Sequence, residues 1–177
     1  MRVTYPDKLK DNQPIVLALG LFDGIHAGHK AVLLKTRELA VKNNAQSAVA
    51  TFCGNPHKTS LIDTYEERID KLQKLGITYI IGIDFDSVSQ INHNDFVAAL
   101  LESYNIAAVV CGFDYRYGFD RMGNIDTLRQ QLSACSIPLA VVEPVLFDGQ
   151  KLSSTYIREL LAKGDTIKAG KLLGDNL

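Results

Sequence analysis

Two histidines three residues apart, His26 and His29, lie in the stretch Gly20-Leu-Phe-Asp-Gly-Ile-His-Ala-Gly-His29. An apolar run, Ile15–Leu19, precedes them and a helical pattern follows, so both rings fall where a strand hands over to a helix. Gly20, Gly24 and Gly28 strip side chains from that turn and let a ligand approach the backbone. A helix opening near Gly28 offers free N–H groups and the positive end of its dipole, which together make a seat for phosphate. Imidazoles beside such a seat can donate hydrogen bonds to phosphoryl oxygens as charge develops there. Zinc binding is the competing chemistry, but His-x-x-His supplies two ligands where zinc usually takes at least three from the protein. His57, His93 and the three cysteines are scattered without metal-type spacing, so no protein-held metal is expected.

The elements that must position these rings read as α/β. Five apolar, β-rich runs, Ile15–Leu19, Ser47–Phe52, Ile77–Ile83, Ile106–Cys111 and Leu139–Glu143, are separated by helical patterns. Helices are expected over Lys30–Lys42, with a mixed stripe through Leu33, Leu34, Arg37 and Val41, and over Tyr65–Leu75, opened by the capping box Thr64-x-x-Glu67. Two more are expected over Phe96–Tyr104, capped by Asn92 or Asn94, and over Ile125–Leu132. Ser153–Ala162 and Asp165–Leu173 read as two short helices, with Gly164 stopping the first and Asp165 capping the second. Alternating strand and helix implies a parallel sheet with right-handed crossovers, and near-continuous apolar strands imply burial on both faces.

The unusual polar residues follow the strands, at their carboxyl ends. With the five runs ordered 3-2-1-4-5, the loops after the first and fourth face each other at the point where strand order reverses, where open parallel sheets bind ligands. One crevice then collects His26, His29, Asp114, Arg116, Ser153, Thr155 and Arg158. Its chemistry is recognition of polyphosphate: Arg121 and Arg158 are permanently charged and fork onto phosphate oxygens. Ser153, Ser154 and Thr155 open a helix. Capping is their ordinary role, and a helix start with spare hydroxyls is also an anion site. The chain has no Gly-x-x-x-x-Gly-Lys-Ser/Thr and no Gly-x-Gly-x-x-Gly after its first strand, which argues against a P-loop enzyme and a dinucleotide oxidoreductase.

With 177 residues, 46% hydrophobic and 22% charged, the composition fits one globular domain with a sizeable core. A net charge of −1 gives no global field to recruit nucleic acid or an anionic membrane, so neither is an expected partner. Three cysteines, an odd number, read as thiols of a reducing cytoplasm, and no signal peptide or membrane-length apolar run is present. Nothing in the sequence sets the oligomeric state.

His26-Ala-Gly-His29 resembles the His-x-Gly-His motif of the nucleotidyltransferase superfamily, and Ser153-Ser-Thr-Tyr-Ile-Arg158 resembles its Ser-Ser-Thr-x-Ile-Arg motif. The longer Gly-x-Phe-Asp-Gly-x-His-x-Gly-His form resembles the adenylyltransferase module of bacterial bifunctional riboflavin kinase/FAD synthetases. Thr51-Phe52 with Pro56-His57, the segment Gly112-Phe-Asp-Tyr-Arg-Tyr-Gly118 with Arg121 and Gly123, and Arg158 through Gly174 resemble further stretches of that module. Cys53-Gly-Asn55 makes the second loop two residues longer than the family pattern, and Lys58 replaces its final proline.

The resemblance implies a Rossmann-like fold of nucleotidyltransferase type: a five-stranded parallel sheet with helices on both faces. It spans a single domain over residues 1–177, with a helical tail over 153–177 and no riboflavin kinase domain. The implied reaction is MgATP plus FMN giving FAD plus pyrophosphate. His26, His29 and Arg158 would be catalytic. Gly20, Phe22, Asp23, Gly24, Gly28, Asp114, Arg121, Ser153, Ser154 and Thr155 would bind ATP; Asn55, Pro56, His57, Tyr115, Arg116 and Tyr117 would bind FMN. Mg²⁺ would arrive with the ATP, held by phosphate and water. Two alternatives stay open: adenylyl transfer to nicotinamide mononucleotide or pantetheine phosphate, and a non-catalytic flavin- or nucleotide-binding regulator.

Overall fold

The computed structural model describes residues 2–5, 12–54 and 60–174. Its centre is β2 (Ile15–Leu19), flanked on one side by β3 (Gln46–Phe52) and β4 (Tyr79–Ile83) and on the other by β5 (Ile106–Gly112) and β6 (Leu139–Val142). These five strands are parallel, as expected, and their order is the 3-2-1-4-5 supposed for the five runs. A sixth strand, β1 (Arg2–Tyr5), joins the β4 edge antiparallel, pairing Arg2 with Gly82 and Val3 with Ile81. The sequence reading did not anticipate it, because a short polar edge strand carries no apolar run.

Alternation along the buried strands divides the core in two. Ile15, Leu17 and Leu19 of β2 face α4 (His93–Ser103) and α5 (Ile125–Ala134), packing with Phe96, Leu100, Leu128 and Leu132. Val16 and Ala18 face the opposite way, toward α1 (Ala27–Lys42) and α2 (Tyr65–Lys74), packing with Val32, Leu33, Ile69 and Leu72. Each strand is thus apolar on both faces, as a parallel sheet covered by helices requires. A third cluster joins α6 (Ser154–Ala162) to α7 (Thr166–Leu173) through Ile157, Leu160, Ala169 and Leu172.

Local signals place the helix starts. Thr64 and Glu67 form the expected capping box, Asn92 caps α4, and Asp165 caps α7. The buried stripe of α1 differs from expectation: it runs through Val32, Leu33, Thr36 and Ala40, while Leu34 and Val41 are 61% and 84% exposed. The helix turns about 100° per residue, so Leu34 and Val41 lie one step past the sheet-facing line. Thr36 is accommodated in that line because its hydroxyl donates to the Val32 carbonyl at 2.8 Å.

Two further elements lie outside the sequence expectation. α3 (Phe85–Val88) is a single turn capped by Asp84. A hairpin of β7 (Leu146–Phe147) and β8 (Gln150–Lys151) occupies the stretch read as a loop. Its turn, Asp148-Gly149, has φ of +50° and +75°, the pattern that favours Asp-Gly in tight hairpins. Among the described residues no helix is long and apolar enough to cross a membrane.

The loop after β5 closes against α4 at Gly118, whose φ is +74° and where an added Cβ would lie 2.6 Å from the His93 Cα. Gly118→Ala is therefore expected to lower stability by about 2–4 kcal/mol in urea denaturation. An unchanged midpoint would show that the loop is not held there.

Candidate active site

The carboxyl ends of β2 and β5 lie side by side, with Leu19 paired to Cys111, and a cleft of about 500 Å³ opens beyond them. It brings together Gly20, Phe22, His26, Gly28, His29, Asp114, Tyr115, Arg116, Tyr117, Arg121, Ser153, Ser154, Thr155 and Arg158. Asp23 and Gly24 stand behind the wall instead of in it. Asn55, Pro56 and His57 lie outside the described residues.

His26 is the N-cap of α1. Its Nδ1 accepts from the backbone N–H of Gly28 at 3.1 Å and of His29 at 3.4 Å. An accepting Nδ1 fixes the neutral tautomer with its proton on Nε2. The two imidazoles stack with centroids 3.9 Å apart and planes 17° from parallel. Gly28 is needed for this approach, since a Cβ there would sit 3.0 Å from the His26 ring. Burial pushes His26 down to about 4; Asp114 and Asp23 partly oppose this, and the Lys151 ammonium adds to it. Burial, then the His26 ring and the Arg68 guanidinium, hold His29 well below the ordinary imidazole range. His29 Nδ1 is buried and has no hydrogen-bond partner among the described residues. At neutral pH the pair therefore acts as uncharged hydrogen-bonding groups.

Asp23 explains how the turn is held. It is buried. Oδ1 accepts the N–H groups of Ile62 and Asp63 at 2.8 and 3.0 Å, and Oδ2 accepts Arg158 Nη1 at 2.7 Å. Ser154 donates its hydroxyl to the Asp23 carbonyl at 2.8 Å, and the Gly24 N–H donates to Asp63 Oδ2 at 3.1 Å. Gly24 has φ of +61°, with Ile62 where a Cβ would go. The resemblance implies a role for both residues at ATP; their hydrogen bonds in this structure tie the turn to residues 62–63 and to α6. Ser153 performs the capping role, accepting the Tyr156 N–H at 3.2 Å, while Thr155 lies 3.4 Å from Arg158 Nη2.

The opposite wall comes from the loop after β5. Tyr115 stacks on Tyr117 with centroids 5.6 Å apart, and the Tyr117 hydroxyl meets Thr127 at 3.2 Å. Asp114 pairs with Lys151 of β8 at 2.5 Å, and that ammonium also sits 4.4 Å from the Phe113 ring centroid. Lys151 is a cleft cation the sequence reading missed; the Asp-Gly turn that brings it there was legible. Phe52, Phe85 and Val88 were missed as well. Phe85 meets Phe52 edge-on at 5.2 Å, giving the cleft an apolar end. Nothing in the short α3 pattern marks Phe85 as anything but core.

The sequence matches the family described as FAD synthetase over residues 8–156. It is 31% identical over 170 residues to the bifunctional riboflavin kinase/FMN adenylyltransferase of Listeria monocytogenes serovar 1/2a, covering 90% of this chain and 53% of that protein. The chain thus spans about half of that relative's length. The same organism's FAD synthetase is 28% identical over 176 residues, covering 93% of this chain and 70% of that one. A solved structure of a macrolide-efflux protein from Streptococcus pneumoniae shares the fold with a TM-score of 0.82 at 29% identity, covering 95% of this chain and 57% of that chain.

The depressed His26 value makes stability depend on pH. The unfolded ring takes its proton near pH 6.5 and the folded one near 4, so stability is intact above about pH 6.5 and lost as pH falls toward 4. The size of the loss is on the order of 3 kcal/mol. His26→Asn keeps an N-cap acceptor and does not titrate. In urea denaturation at pH 7.5 and pH 4, this variant should show a smaller acid loss than wild type by about that amount. Equal losses would mean that His26 is not buried neutral.

Proposed function

We propose, for a chain that belongs to the FAD synthetase family, that it transfers the AMP moiety of ATP to the phosphate of FMN, giving FAD and pyrophosphate. What carries this reading is the meeting, in one cleft, of two stacked neutral imidazoles at a helix N-terminus with Arg158 and an aromatic end. The triphosphate lies between the N-termini of α1 and α6, where free N–H groups and helix dipoles favour anions. His26, His29 and Arg158 contact it, with Gly20, Phe22, Gly28, Asp114, Arg121 and Ser153–Thr155 around the nucleotide. The flavin ring lies toward Phe52, Phe85, Tyr115 and Tyr117, with Arg116 beside it.

The FMN phosphate oxygen attacks the α-phosphorus in line, the bond to the bridging oxygen breaks, and pyrophosphate leaves with the electron pair. No enzyme nucleophile is required; positioning and charge stabilisation supply the rate. A neutral imidazole N–H strengthens its hydrogen bond as charge builds on the phosphoryl oxygens and holds no bound anion so tightly that product is trapped. Mg²⁺ accompanies the triphosphate, held largely by phosphate oxygens and water. Three free cysteines support a reducing cytoplasm as the site of action.

The test is purified protein with MgATP and FMN, followed by chromatography for FAD and pyrophosphate. Turnover of nicotinamide mononucleotide or pantetheine phosphate with none of FMN would overturn the acceptor. Binding of flavin and ATP without any turnover would mark a regulator instead. In the same assay His29→Ala should lower kcat by roughly 10²–10³, the scale for one preorganised donor, and change the KM for ATP much less. A folded variant within a few-fold of wild type would remove His29 from the chemistry.

A further inference from the structure

Arg68, on α2, is fully buried and is the largest such side chain in the described residues. No carboxylate of the described residues forms an ion pair with it. Asp23 and Asp63 act on it only through space, and both are engaged elsewhere, with Arg158 and Lys71. Its Nη1 donates to the Leu21 carbonyl at 2.8 Å and contacts the Thr51 hydroxyl at 3.4 Å, while Thr51 donates to that same carbonyl at 2.7 Å. Nε and Nη2 are buried with no partner among the described residues. The Tyr65 ring centroid lies 5.8 Å from the guanidinium carbon.

A charge taken out of water without an ion pair opposes folding, and an apolar chain of similar length would fill the same space without that cost. Core packing therefore does not account for an arginine here. Its contacts do. Leu21 lies in the turn after β2, and the next residue, Phe22, is held at φ of +56°. The Phe22 ring packs on His29 with centroids 5.3 Å apart and fills the space where a Gly20 Cβ would be. Leu21, Phe22, Thr51 and His29 all line the cleft. A rigid path thus runs from the guanidinium through the Leu21 carbonyl and Phe22 to His29.

We propose that Arg68 is a positioning residue. It pins the Leu21 carbonyl and Thr51 so that the Phe22 turn holds His29 in the cleft, and it sets a fixed positive charge behind the phosphate seat. This rests on the adenylyl-transfer reading above. The charged and titratable groups concerned are His26 beside His29, and Asp23, Asp63, Tyr65 and Cys53 around Arg68.

The test compares Arg68→Met and Arg68→Lys in the full chain. Arg68→Met should fold with a thermal midpoint no lower than wild type, yet lose at least about tenfold in kcat, the scale of a small misplacement at the reacting centre. The KM for MgATP should stay within about threefold. The acid limb of kcat/KM should move to higher pH, because His29 loses a cation that opposes its protonation. The Cε1–H NMR signals of His26 and His29 should shift without any substrate present, and Arg68→Lys should recover part of each effect. The NMR readout stands even if wild type makes no FAD, so failure of the function and failure of this proposal are separable. A folded Arg68→Met with wild-type kcat and unmoved histidine signals would overturn the proposal. If Arg68→Met does not fold, Arg68→Lys decides: reduced kcat with shifted signals supports the role, and wild-type behaviour refutes it.

Discussion

Asp23 carries its carboxylate where water does not reach, and two segments remote in sequence converge to satisfy it. Ile62 and Asp63, 39 and 40 residues downstream, give it two backbone N–H groups; Arg158, 135 residues downstream, gives a guanidinium. An ionised carboxylate is tolerated in such a place only when its lone pairs are filled, so each donor is constrained by the others. This one group fixes the turn before α1, the approach to α2 and the start of α6 in a common frame. The distance between the stacked histidines and Arg158, on which any joint action on a phosphate depends, follows from that frame. The hydroxyl of Ser154 on the Asp23 carbonyl adds a neutral tie between the same two elements.

The sheet was legible because its strands are buried on both faces. That constraint writes near-continuous apolar runs into the chain, and helical crossovers between them imply parallel strands, while the order 3-2-1-4-5 is a supposition that the structure bears out. Helix starts were legible for a local reason: Thr64 with Glu67, Asn92 and Asp165 act on N–H groups within three residues of themselves. What was not legible depends on partners. β1 exists by pairing with β4, and α3 is one turn long. On α1 the apolar residues Leu34 and Val41 look like core in a periodicity count, but the sheet touches the neighbouring line.

The site divides the same way. His26, His29 and their glycines announce themselves because the turn is short and each residue has one role. Asp23 sits in that same run, where the resemblance implies a role at ATP; its donors lie far away in sequence, and nothing local reveals them. Phe85 and Lys151 enter the cleft from α3 and the hairpin, elements whose position is set by tertiary packing. Arg68 is the sharpest case. In sequence it is an ordinary polar residue of an amphipathic helix, and only its burial beneath Leu21 and Thr51 gives it a task.

A phosphate entering the cleft would meet cations that are already paired, and the two pairs differ in what it takes to part them. Lys151 and Asp114 have side chains 42% and 57% exposed, so water and salt can replace either partner, and such a pair is worth about 0–1 kcal/mol. Arg158 and Asp23 have side chains 23% and 1% exposed, and pulling the guanidinium away would leave a buried carboxylate with a bond unmade. Lys151 can therefore exchange Asp114 for a phosphate oxygen at little cost. Arg158 would meet a phosphate while still tied, through whichever N–H groups Asp23 does not take. A guanidinium serves that double duty because its donors point in fixed, different directions, whereas an ammonium would have to choose. The buried pair gives a fixed geometry and the exposed pair an adaptable one, and the stacked imidazoles stand between them without charge of their own.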